Sequence, residues 1–138
     1  MRTTIENILG LRSKIRTPLD LVDLGNKGIS KKQIKSLAEA MCLSSNAIAP
    51  LLAINVRTIQ RQPENKHFDR NVSERAIRLA QLTARGVDAF GTKESFCQWL
   101  QTPSLALGNR APISLLASFA GIEMVDDEIG RMEYGVVA

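Results

Sequence analysis

The stretch SSNAIAPLLAINVRTIQRQ, residues 44–62, has the layout of two short helices meeting at a tight turn. Ser44 or Ser45 can open the first helix, because its hydroxyl accepts the free amides of the opening turn. Asn55 can do the same for the second, and Pro63 stops it because proline offers no amide and restricts its predecessor. Ala49 is small where the helices would cross. Ile48, Leu52 and Ile54 supply an inner face, Val56 packs near the turn, and Ile59 anchors the second helix. Arg57, Thr58, Gln60, Arg61 and Gln62 are then left facing outward. Arginine and glutamine can pair bidentately with guanine and adenine, and threonine suits a thymine methyl or a phosphate. The pattern therefore predicts a helix-turn-helix with those five residues as the candidate DNA-reading set. Two positions depart from it. Ala53 stands at the turn, where a left-handed backbone costs a non-glycine residue about 1 kcal/mol. Pro50 falls inside the first helix and should bend it.

Working outward, the helical signals continue. Ser30 can cap a helix through about residue 42, with Ile34, Leu37, Ala38 and Met41 on one face. A long helix is expected from about Val72 to Phe90, striped by Val72, Ala76, Leu79, Thr83, Val87 and Phe90 and closed by Gly91. KESFCQWLQTP reads as a short helix with Phe96, Trp99 and Leu100 inward, and Pro112 starts another. The last helix is expected over about Met124 to Tyr134, with Val125, Ile129, Met132 and Val136 as its inner stripe. Asp126, Asp127 and Glu128 would form its first turn, where carboxylates suit the helix dipole, and Asp127 would pair with Arg131 four residues on. Near the N-terminus, TPLDLVDLG offers Thr17 as cap, Pro18 at the first position and Gly25 as stop; the segment before it reads as loosely held. No segment alternates with period two, so the expected fold class is all-α.

The bulk composition excludes several function classes. Of 138 residues, 44% are hydrophobic and 23% charged, as in ordinary globular chains, and aromatics make up only 4%. No apolar run reaches membrane-spanning length, and the amphipathic start does not read as a signal peptide, so a cytoplasmic protein is expected. The two cysteines, Cys42 and Cys97, lack metal-ligand spacing and read as free thiols. His67 stands alone as a surface residue with no nucleophile at motif spacing, and neither a phosphate loop nor a dinucleotide fingerprint occurs. Neither an enzyme nor a cofactor is expected. Charge is unevenly spread: residues 29–90 carry ten Lys/Arg against five Asp/Glu, whereas residues 91–138 carry three against six. A basic centre beside an acidic end suits two surfaces with different partners. Lys31, Lys32, Lys35, Lys66, Arg70 and Arg75 surround the helix-turn-helix and could neutralise phosphates.

The chain ends on GRMEYGVVA, residues 130–138, an apolar strip where polar, frayed residues are usual. Met132 and Val136 continue the inner stripe, which favours packing on the protein's own core. Tyr134, Val137 and Ala138 fall off it and are free to meet a partner.

Two separated blocks, FGTKESFCQWLQTPSLALGNRAPISLLAS and this terminal GRMEYGVVA, resemble the toxin-binding domain of Xre/MbcA/ParS-type antitoxins. The matching positions are Trp99-Leu100, Pro103, Ala106-Leu107-Gly108, Pro112, Leu115-Leu116, Gly130-Arg131, Glu133, Gly135-Val136 and Ala138. Asn109 replaces a glycine, which asparagine's tolerance of left-handed backbone permits. Residues 29–62 are similar to the Xre-like N-terminal domain of the same family. The resemblance implies an antitoxin that binds a RES-domain toxin, an NAD-consuming enzyme, and occludes its active site. Arg131, Glu133, Tyr134, Gly135, Val136, Val137 and Ala138 are then the candidate toxin-binding residues. It also implies autorepression through operator DNA, and a homodimer matching a two-fold operator. The expected organisation is an extension over 1–28, a helix-turn-helix region over 29–71, a connecting helix over 72–90 and a toxin-binding domain over 91–138. The alternatives are a transcriptional regulator with a C-terminal dimerisation region and, after it, a scaffold that no longer binds DNA.

Overall fold

The computed structural model describes residues 2–135, and all regular structure in them is helical. Helix α6, Arg70–Phe90, is the spine. It buries Val72, Ala76, Leu79 and Thr83 on the expected stripe and adds Ile77, Ala80 and Leu82, because helices cover it on more than one side. Asp69 caps it, its carboxylate accepting the Val72 amide at 3.0 Å, and Gly91 closes it in the left-handed region at φ 88°.

The segment ahead of the helix-turn-helix is built into the core. Thr4 caps α1, Ile5–Leu9, and α1 lies against α6 and α3, burying Ile8 and Leu9. The Thr3 amide donates to the Asp88 carboxylate at 2.9 Å, and Ser36 Oγ donates to the Ile8 carbonyl at 2.8 Å. The loosely held start expected from sequence is thus corrected: three apolar residues in an isolated short helix are weak evidence, but a long helix supplies the surface they need. Helix α2, Pro18–Lys27, opens on Thr17 and Pro18 as expected. It runs past Gly25, which is buried in the helix against Glu74 and Ile77, and stops at Gly28 instead. Gly28 has φ 94° with the Phe68 carbonyl and the His67 side chain pressed against it, so no side chain fits there.

Helix α3, Lys31–Ala40, is capped by Ser30. The remainder of the helix-turn-helix is α4, Ser45–Ile48, continued by a 3-10 turn over Ala49–Leu52, and then α5, Val56–Arg61, capped by Asn55. Pro50 bends the first helix by tightening it into the 3-10 turn.

Beyond α6 come α7, Lys93–Gln101, two 3-10 turns over Leu105–Leu107 and Pro112–Leu115, and α8, Phe119–Glu133. Phe96 fits the notch left by Gly86 on α6, where a Cβ would collide with its ring. Trp99 is half-buried between Phe90 and Phe96, with centroids 5.1 and 6.3 Å away. Helix α8 begins five residues earlier than expected, because Ser118 accepts the Gly121 amide and Gly121 lets the helix touch the Leu115 backbone. The Asp126–Glu128 cluster is therefore mid-helix, and the helix-dipole role expected for it does not apply.

Cys42 and Cys97 are a further correction. They are joined as a disulfide between the turn after α3 and the middle of α7, with Cα atoms 6.1 Å apart. Fifty-five positions separate them in sequence, so only the packing of α7 reveals the pairing.

Candidate functional site

The first candidate surface is the outer face of α5. Ile59, 1% exposed, pins the helix to the core, and Ile48, Ala49 and Leu52 are buried beneath it. Arg57, Thr58, Gln60 and Arg61 are all exposed on the opposite side, while Gln62 is half-buried and donates from Nε2 to the Lys66 carbonyl at 3.2 Å. Ala53 occupies the left-handed region at φ 58°, so the turn has the geometry usually given to glycine. Lys31 Nζ donates to the Gln60 carbonyl at 2.9 Å, tying α3 to the end of α5. Lys32, Lys35, Lys66 and Arg70 are also exposed. Arg75 is committed elsewhere: its guanidinium lies 4.7 Å from the Phe119 ring centroid and donates to the Ala117 carbonyl at 2.9 Å. His67 is exposed, with Nδ1 3.0 Å from the Lys27 carbonyl.

The second surface is the end of α8. Burial stops abruptly there: Ile122, Val125 and Ile129 have no exposure, whereas every residue from Arg131 to Gly135 is exposed and Tyr134 is 82% exposed. Met132 is 37% exposed and does not continue the buried stripe. The expectation that it packs on the core is therefore corrected: the buried stripe of α8 runs through Ile122, Val125 and Ile129 and does not extend to Met132. Val136, Val137 and Ala138 lie outside the described residues.

What holds this end in place is Arg85 on α6. Its Nε donates to Glu133 at 2.6 Å, its Nη1 lies 3.1 Å from Asp126, and the guanidinium covers Gly130, where a Cβ would come within 2.9 Å of Nη2. Desolvation opposes the charge, but hydrogen bonds to Glu133 and Asp126 outweigh it and raise the Arg85 pKa above its usual value. Arg131 pairs with Glu128, three residues back and nearly buried, through Nε at 2.9 Å and Nη2 at 2.5 Å. The expected Asp127–Arg131 pair is replaced by this one. Two of the sequence-predicted contact residues, Arg131 and Glu133, thus make ion pairs within the chain, and Tyr134 stands clear beyond them. Arg85 is the residue that sequence reading missed. Its partners lie 41 and 48 positions away, beyond any local periodicity.

Fold and surfaces together define a helix-turn-helix protein with a small helical partner-binding domain mounted on the same long helix. Sequence comparison agrees in both halves. Residues 20–81 match the Antitoxin Xre-like helix-turn-helix domain, and residues 85–135 match the Antitoxin Xre/MbcA/ParS C-terminal toxin-binding domain. The chain is 34% identical to an "Antitoxin Xre" of Yersinia enterocolitica over 118 residues, covering 84% of this chain and 80% of that protein. It is 28% identical to an "Antitoxin Xre" of Photorhabdus laumondii over 115 residues, covering 82% and 78%. The chain belongs to the Xre antitoxin family.

Proposed function

We propose that this antitoxin neutralises a RES-type, NAD-consuming toxin by placing its C-terminal end in the toxin's active-site cleft. The observation that carries this reading is the clamped but unburied end of α8. Arg85 fixes its last turn, and Tyr134, 82% exposed, projects beyond the core. A preordered helix end loses little conformational freedom on docking, and an exposed aromatic is a good anchor for a buried pocket. The excess of carboxylates over residues 91–138 complements a cationic site that holds a pyrophosphate. Arg131 and Glu133 present the rim of this plug, and Gly135, Val136, Val137 and Ala138 extend it. In this role the chain acts in the cytoplasm, by binding alone, with no reaction or cofactor of its own.

The α5 face supports a second activity on the same molecule: repression of its own operon by a homodimer. Arg57, Thr58, Gln60, Arg61 and Gln62 would face base edges, and Lys32, Lys35, Lys66 and Arg70 the phosphates. In this reading residues 72–90 join the DNA-reading and toxin-binding parts.

The test is co-expression with the neighbouring reading frame, comparing the full chain with one stopped after Glu133. If the full chain co-purifies with the neighbour and preserves cellular NAD, while the shortened one still binds but does not protect, occlusion by the tail is supported. Equal protection by both would move neutralisation elsewhere on the C-terminal domain. Promoter binding that weakens steeply with salt checks the DNA arm.

A further inference from the structure

We propose that the Cys42–Cys97 pair is a thiol–disulfide exchange site, entered at Cys42 by a small anionic thiol of the glutathione class. The two sulfurs are unequal. Cys42 sits on an exposed turn at φ 58°, between the end of α3 and Ser44, the cap that opens the helix-turn-helix. It faces an open groove of about 510 Å³ bordered by Lys35, Glu39, Ser44, Ser45 and Lys93. Cys97 is 7% exposed within α7, its Sγ 3.6 Å from the Ala40 carbonyl oxygen. An incoming thiolate therefore reaches the Cys42 sulfur and not that of Cys97. Lys35 and Lys93, on the border of the same groove, attract an anionic reagent.

The exchange balances as follows. The thiolate attacks Cys42 Sγ, the protein S–S bond breaks, and its electron pair leaves on Cys97 Sγ. That sulfur takes a proton from solvent and, as a thiol, donates it to the Ala40 carbonyl. A second small thiolate attacks its counterpart in the mixed disulfide, releasing Cys42 thiolate and a small-molecule disulfide. Two small thiols are oxidised and one protein disulfide is reduced; the small-molecule disulfide drives the reverse. The bond joins the turn leading into the helix-turn-helix to the first helix of the toxin-binding half, so opening it loosens a covalent tie between the two activities.

The experiment uses the full chain, reduced and then exposed to limiting oxidised glutathione, with adducts located by intact mass and peptide mapping. The mixed disulfide should form on Cys42, and closure to the internal disulfide should follow. Cys97→Ser should trap one glutathionyl group at Cys42, whereas Cys42→Ser should react about tenfold more slowly or less. Adducts formed first on Cys97, or two thiols that persist in excess oxidised glutathione, would overturn the proposal, and the unmutated chain alone suffices to show either. The double variant Lys35→Glu/Lys93→Glu should slow glutathione disulfide several-fold relative to the neutral hydroxyethyl disulfide. Equal slowing of both reagents would remove the anionic preference.

Discussion

The Glu6 carboxylate accepts the Ile15 amide at 2.5 Å, and this bond, with help from Thr4, holds its pKa below the usual 4.5. A depressed folded pKa means the contribution is present above pH 4.5 and is lost as pH falls through the depressed folded value. Glu6→Gln should therefore lower the melting temperature near neutral pH, and the difference from the unmutated chain should shrink as pH falls below 4.5. Thr83 gives the opposite sign. Its hydroxyl is buried with no hydrogen-bond partner among the described residues. Thr83→Val keeps the shape and removes the orphan, so urea denaturation should show a gain of about 1 kcal/mol. Position 83 was legible in the sequence as part of the buried stripe; that its hydroxyl finds no acceptor depends on neighbours that only the fold supplies.

The elements show which local signals suffice. Ser30, Ser44, Asn55 and Thr17 cap helices as read from sequence, because capping is decided within three or four residues. The strain at Ala53 was equally local. Ala53→Gly should relieve up to about 1 kcal/mol of left-handed strain and raise the denaturation midpoint, with promoter binding retained. Helix α8 was harder. Its first turn carries Gly121, an unfavourable residue in a helix interior, and only contact with the Leu115 backbone explains its presence. At its far end, Arg85→Ala should cost about 0.5–1 kcal/mol in stability, since its ion pairs are partly exposed. The larger effect should be local: faster amide exchange over residues 130–135 and weaker toxin capture by a chain that still melts cooperatively.

At the scale of the whole molecule, α6 lets one domain carry two surfaces. Helices α1, α2, α3, α7 and α8 all pack on it, and the disulfide ties the turn after α3 to α7. Closing a loop between positions 55 apart restricts the unfolded chain, so reduction should lower the unfolding free energy by about 2–4 kcal/mol in urea titrations with and without reductant. Among the described residues no helix is long and apolar enough to cross a membrane.

By itself the sequence determined the all-α class, the order of the helices, most of their caps and the helix-turn-helix at residues 44–62. Each of these depends on hydrophobic period and backbone satisfaction within a turn or two. Tertiary structure alone decided that α1 joins the core, that Cys42 meets Cys97, and that Glu133 answers to Arg85. Those outcomes depend on which helix faces come together, and in a helical protein the partners across such contacts lie many turns apart along the chain.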